Sequence, residues 1–305
     1  MLSEEHSISL DPNSLDQQRR HAYLLASVAP RPIAFASTMN KNGEVNLSPF
    51  SFFNVFSSNP PIMIFSPSRR GRDSSQKDTY HNLKEVPEVV INIVTYQIVE
   101  KMSLASTEYE PGVNEFLKAG LTPVSSEVIK PPRVLEAPIS FECKVNDIIT
   151  LGEKGGAGNL IISEVVRMHF KESYLQENGL PDTKKLDLVG RMGENWYIRA
   201  TEASLFEIPK PLSMRGIGVD QLSQSIRNSN ILSANNIGRL GNVKALPSEA
   251  TIFHHKESVE VKEIFLEHEN QRDMIKDGLH HLGKQYLEKD DPDTALAILM
   301  IVDLI

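Results

Sequence analysis

Cysteine is nearly absent from this sequence: Cys143 is the only one in 305 residues. An intrachain disulfide is therefore excluded, and so is a metal site built on several thiolates. A chain without disulfides suits a reducing compartment, and a cytoplasmic protein is expected. Long apolar runs are missing too. The most apolar segment, ALAILMIVDLI at Ala295–Ile305, is far too short to cross a bilayer, so no membrane partner is expected and the segment reads as a buried terminal helix. The opening MLSEEHSISL is acidic and lacks the apolar stretch of a secretory signal. Positive charge is in deficit, with 32 Lys and Arg against 40 Asp and Glu and a formal net charge of −8. Nucleic acid is not expected as a partner, because binding phosphates along a strand needs net or clustered positive charge.

Several familiar motifs are also missing. GEKGGAG at 152–158 lacks GxGxxG spacing, and a strand pattern rather than a helix follows it, so it reads as a turn. There is no HExxH, and the adjacent pairs His254-His255 and His280-His281 cannot each face one ion from a helix. No metal is expected. No GxSxG elbow is present, and no repeat period.

What is present is a run of short strands followed by helices. Pro32–Thr38, Val45–Ser48, Pro61–Phe65 and Val89–Val94 read as strands, the first two joined by the Asn-Gly turn in MNKNG. Ile139–Leu151 and Asn159–Phe170 form the strongest hairpin signal, with Phe141, Cys143 and Val145 alternating with polar neighbours. Short helices are expected after Asp78 and over Val99–Ser106. After Ile208 the pattern turns helical. N-caps are expected at Asp220, Asn235 and Ser248, one long amphipathic helix over Val261–Tyr286, and a last helix from Asp291-Pro292. Strands first and helices after them argue for an antiparallel barrel or α+β domain with a helical appendage. The division is set at 1–208 and 209–305, with IPKP at Ile208–Pro211 as linker.

Two stretches carry candidate chemistry. Ser66–Leu83 (SPSRRGRDSSQKDTYHNL) gathers Arg69, Arg70, Arg72 and Lys77 with several hydroxyls, just ahead of a helix start. A phosphate suits such a place, and so does a plain solvated loop. Asn46–Pro61 (NLSPFSFFNVFSSNPP) mixes four phenylalanines with small polar residues. It fits a flat heteroaromatic ligand, or a barrel core with polar turns.

RPIAFAST, NLSPFSFFN, PPIMIFS and KDTYHNL, in this order, together with LDLVGRMGENWY at Leu186–Tyr197, resemble the flavin reductase-like family of FMN-binding split barrels. The resemblance runs from Leu24 to Arg199. It implies a mainly β fold with α+β character, a six-stranded antiparallel Greek-key split β-barrel, here with a helical C-terminal extension. It also implies FMN near the interface of a homodimer. Carried over, Ser37 and Thr38 lie near the flavin or its ribityl chain. Asn46, Ser48, Pro49, Phe50 and Ser51 line the isoalloxazine. Ser66, Lys77, Asp78 and Thr79 hold the ribityl and phosphate end. Arg69, Arg70 and Arg72 are not carried over and are expected to be solvated. Arg191 and Trp196 stay open between a structural role and a place near the flavin. The implied activity is FMN-dependent oxidoreduction of the NAD(P)H:flavin reductase type. NADH or NADPH is the transient reductant, and an acceptor protein or small molecule takes the electrons. No side chain is singled out as catalytic, since the flavin carries the difficult chemistry. The alternative is a non-catalytic FMN-binding electron carrier or sensor with a protein-docking tail.

Overall fold

The computed structural model describes residues 7–110, 112–208, 215–269 and 271–305. The chain divides into two compact units, Met1–Phe206 and Glu207–Ile305.

The first unit opens with helix α1 (Gln17–Ser27), capped by Asp16 through Arg19 N–H. Seven strands follow in one antiparallel sheet: β1 (Ala34–Met39), β2 (Val45–Phe50), β3 (Phe53–Ser58), β4 (Pro61–Phe65), β5 (Glu88–Ile93), β8 (Ile139–Thr150) and β9 (Asn159–Phe170). Between them lie α2 (Asp78–Glu85), α3 (Val99–Ala105), α4 (Glu115–Ala119) and the two-residue strands β6 (Pro123–Val124) and β7 (Arg133–Val134). A separate hairpin, β10 (Val189–Arg191) with β11 (Tyr197–Arg199), completes the unit.

The strand order is β2-β1-β5-β8-β9-β4-β3. The edge strands β2 and β3 are thus farthest apart in the order, yet only Ser51 and Phe52 separate them in sequence. Laid flat, seven strands would hold those edges about 29 Å apart. Three Cα steps reach only about 11 Å. The sheet must therefore curl until its two edges nearly meet, leaving the seam of a split barrel between β2 and β3. The expected six strands become seven because Phe53–Ser58, read from sequence as an aromatic cluster, pairs with β4 around a bulge between Val55 and Ser57.

Alternation assigns the two faces. Ala34 and Ala36 of β1 point into the barrel cluster with Phe50, Phe65, Ile91, Cys143 and Ile161. Phe35 and Leu47 point the other way, into a second cluster with Met102 of α3 and Phe116 of α4. Leu83 of α2 joins the barrel cluster, so α2 closes one end of the barrel. Cys143 is fully buried there, and burial pushes its thiol up to about 12.

The second unit is helical: α5 (Gln224–Arg227), α6 (Ala234–Gly241), α7 (Glu249–Lys256), α8 (Val259–Glu267), α9 (Arg272–Glu288) and α10 (Pro292–Met300). It has its own core in two clusters that share Tyr286 and Met300. The long helix expected over Val261–Tyr286 is two helices. α8 ends at His268, whose φ −115° and ψ 34° leave the helical range, and α9 begins after Gln271. Val261 and Phe265 still meet Ile275, Leu279, Leu282 and Tyr286 in one cluster. The regular spacing was thus the signature of two helices folded onto a common core. Gly278 and Gly283 belong to that packing: a Cβ on Gly278 would lie 2.7 Å from Ile264, and one on Gly283 2.7 Å from Leu299.

Three expected caps shift. Ser233, not Asn235, caps α6, in a reciprocal capping box with Asn236. Asp220 sits within a 3-10 turn, Val219–Gln221. Asp78 is the first residue of α2, with Lys77 at the cap position. Ser248 and Asp291 cap α7 and α10 as expected. Most of the IPKP linker lies outside the described residues.

Candidate functional site

The loop after β4 is held from across the barrel. Arg69 N–H donates to the Ala157 carbonyl at 2.8 Å, and Gly156 N–H to the Arg69 carbonyl at 3.0 Å. The Arg69 guanidinium donates to the carbonyls of Gly152 (3.2 Å) and Ser74 (3.0 Å). A Cβ on Gly155 would lie 2.8 Å from the Gly71 carbonyl oxygen. GEKGGAG is therefore a turn, and its glycines let two backbones meet. Gln76 and Asn159 exchange side-chain amide bonds at 3.2 and 2.9 Å beneath this joint.

Arg69 and Arg70 are not simply solvated, contrary to expectation. Arg69 is the clamp just described. Arg70 pairs with Glu108 and donates to the Gln76 carbonyl, and its guanidinium lies 3.9 Å from Asp78. Arg72 is exposed and bonds Asp73 and Glu108, each at 3.0 Å. These cations are there to fold the loop, and its polar backbone is what they satisfy.

Lys77 differs from all three. It is half-buried, with its Nζ 6.0 Å from the centre of the Phe50 ring. Among the described residues it has no ion pair within 4.0 Å and no side-chain hydrogen bond. Burial, and then the Arg70 guanidinium, lower its pKa, since both oppose a positive charge there. It stands at the N-terminus of α2, which has no side-chain cap, so the first N–H groups of that helix lack intrahelical partners.

Behind Lys77 the structure brings together Thr38, Asn46 and Thr79. Thr79 Oγ1 donates to Asn46 Oδ1 at 2.7 Å, and Asn82 Nδ2 to Thr38 Oγ1 at 3.2 Å. All four are buried. The Thr79 hydroxyl proton is thus spent inside the protein. Ser48 shares the face of Asn46 and Phe50, while Pro49 alternates to the other. Ser48 and Ser66 carry hydroxyls without a partner among the described residues. Ser51 Oγ accepts from Arg31 Nε at 3.4 Å. Asp78 is partly exposed beside Arg70. Ser37 is set apart, because its neighbour Thr38 takes the face toward α2. Its hydroxyl is fully buried and unpartnered.

Two residues here were not found from sequence. Glu115 of α4 is 7% exposed and accepts from Asn46 Nδ2 (2.8 Å) and Leu47 N–H (2.9 Å); burial raises its pKa. Arg31 is buried without a carboxylate, donating to the carbonyls of Leu25, Val28 (2.8 Å) and Met192 (2.9 Å). It ties α1 to the β10–β11 turn. Arg191 stacks on Tyr197 at 4.6 Å, and Trp196 is exposed in that turn.

The sequence matches the Flavin reductase like domain over residues 26–185, more than half of the chain. The chain belongs to this family. Its match thus spans the barrel strands and the α2 site and ends before the helical unit begins. An uncharacterized protein, BH2278, of Halalkalibacterium halodurans is 38% identical over 206 residues, covering 67% of this chain and 97% of that one. Nitrilotriacetate monooxygenase component B from Bacillus cereus superposes with a TM-score of 0.63 at 32% identity, over 67% of this chain and all of its own. The 2-nitrobenzoate 2-nitroreductase of Pseudomonas fluorescens gives 0.59 at 27% identity, over 67% and 97%. This is a flavin-related oxidoreductase family with a split-barrel fold. No helix among the described residues is long and apolar enough to cross a membrane.

Proposed function

We propose that the first unit binds FMN and acts as an NAD(P)H:flavin reductase-like oxidoreductase. The observation that carries this reading is Lys77: a half-buried cation with no counter-ion, at an uncapped helix start, inside the family match. A phosphate monoester would supply the missing negative charge and accept from the free N–H groups of α2.

The other residues divide along the ligand. Lys77, Asp78 N–H and Thr79 N–H would hold the phosphate, and the Ser66 hydroxyl the ribityl chain. Ser48, Pro49, Phe50 and Ser51 would border the ring, with Thr38 and Asn46 fixing the wall behind it. Ser37, buried on the other face of β1, has no direct part in this arrangement. Bound flavin supplies hydride acceptance and onward electron transfer. The protein's work is to bind and orient the ring and to leave one face open to a nicotinamide. An acceptor protein or small molecule would receive the electrons.

A homodimer is part of the proposal. β3 is an unpaired edge strand whose Val55 and Phe56 are 57% and 63% exposed. An apolar free edge of this kind calls for cover.

The test is direct. Titration of the purified chain with FMN, followed by flavin fluorescence and calorimetry, should show saturable binding. Anaerobic addition of NADH or NADPH should then bleach the visible flavin absorbance. No FMN binding would remove the proposal. Binding without bleaching by either nucleotide would leave an FMN carrier rather than a reductase.

A further inference from the structure

We infer that Glu115 is a positioning residue for the cofactor phosphate: through Asn46 it fixes the hydroxyl of Thr79 and thereby fastens the first turn of α2. The inference rests on the FMN reading above. The geometry leaves little freedom. A carboxylate can only accept hydrogen bonds. Glu115 uses one oxygen for Asn46 Nδ2 and the other for Leu47 N–H. Asn46 must therefore turn its NH2 toward α4 and its Oδ1 toward α2. That oxygen takes the Thr79 proton at 2.7 Å. Every donor in the chain from α4 through β2 to α2 has its direction set by Glu115.

The chain replaces something that α2 lacks. Helices are commonly fastened at the start by an N-cap side chain, and α2 has none. Thr79, 1% exposed, is instead anchored from below by Asn46, and Asn82 is anchored to Thr38 one turn on. What α2 then presents outward is backbone N–H, beside the unpaired Lys77. A carboxyl nine-tenths buried in a small helix would otherwise be an unexplained expense, since burial disfavours its charge.

An amide at position 115 has the same shape but only one accepting atom. Either Asn46 or Leu47 N–H then meets a donor, and the Asn46 amide is free to flip. Glu115→Gln should therefore weaken FMN by about tenfold, the loss of one charge-assisted bond. Riboflavin, which has no phosphate, should weaken by less than about twofold. Adding Asn46→Asp restores the pattern. The new carboxylate accepts from Thr79 and from the amide at 115, whose oxygen accepts from Leu47 N–H. The FMN-to-riboflavin ratio should return toward the wild-type value in the double variant.

The experiment measures both dissociation constants by flavin fluorescence for wild type, Glu115→Gln and the double variant, with a thermal melt of each. Thr79→Val cuts the same chain at its far end and should give the same selective loss, whether or not Glu115→Gln folds. An unchanged ratio in either single variant, or equal weakening of both ligands, overturns the inference and points to packing alone. A wild type that binds no FMN overturns the functional reading first, and that arm is read separately.

Discussion

Removing the charge of Lys77 should have two effects of opposite sign. Take Lys77→Met, which keeps the stem against Phe50 and deletes the ammonium. In the ligand-free protein the ammonium is half-buried without a counter-ion, and its lowered pKa says that the charge is disfavoured there. Deleting it should leave stability unchanged or raise it slightly. With FMN bound, the same ammonium would face two phosphate charges. A hydrogen bond to a charged group contributes roughly 1.5–3 kcal/mol, or about 10–150-fold in affinity. Riboflavin shares the ring and ribityl chain and lacks the phosphate, so its affinity should move by less than about twofold. The assay is paired titration of both ligands by fluorescence, at two salt concentrations, with melting curves of the apoprotein. Salt should weaken FMN binding to the wild type more than to the variant, because one exposed-side charge pair has gone. If both ligands weaken equally, Lys77 is not at the phosphate. If the apoprotein is strongly destabilised, Lys77 has a structural partner that this reasoning denies.

Three further outcomes are expected. Glu142 is fully buried and accepts from the N–H groups of Glu127 (2.7 Å), Val128 (2.8 Å) and Ile129 (3.2 Å) and from His169 Nε2 (2.6 Å). Burial alone would raise its carboxyl, but these donors outweigh it and hold it below the usual 4.5, so its stabilisation is complete above that value and lost as pH falls through the lower folded value. Glu142→Gln should cost about 2–4 kcal/mol at neutral pH and flatten the acid slope, read by urea denaturation across pH. In the second unit, Ser229 Oγ accepts from two backbone N–H groups and so donates its proton to His280 Nδ1 at 2.8 Å, leaving the ring neutral with its buried Nε2 unpartnered. Burial, then Lys276, lower the His280 pKa below 6.5; the helical unit should lose stability as pH falls from about 6.5 through that lower value, and His280→Gln should remove the dependence in a melting series. Gly283→Ala gains about 1 kcal/mol of helix propensity and loses about 1–3 kcal/mol by crowding Leu299, so a net destabilisation is expected in denaturant titrations.

What could be read from the sequence was what is local. β5 and the β8–β9 hairpin announce themselves by branched residues and alternation, and Ser248 and Asp291 by standing just before their helices. β3 escaped because its burial is slight and its phenylalanines face outward, so no alternation with a core face shows. The split between α8 and α9 escaped because both helices feed one cluster, and the spacing cannot tell one helix from two. At the site, Lys77 and the hydroxyls were legible as a cluster in one stretch. Glu115 was not, for it meets Asn46 from 69 positions away and looks in sequence like any acid in a first helical turn. Arg31 meets Met192 from 161 positions away. Long-range bonds of this sort have no periodicity to betray them.

The sole cysteine has a practical corollary. Cys143 is sealed in the barrel with its thiol pushed to about 12, so almost none of it is thiolate at neutral pH. The folded chain is therefore silent toward maleimides and other thiol reagents. A single cysteine placed at an exposed position, on α1 or on the outer side of α7, would be the one handle that takes a dye or spin label. The native protein is in this sense already the cysteine-free background that labelling studies usually have to engineer. Slow appearance of a second labelled thiol would in turn time the opening of the barrel itself.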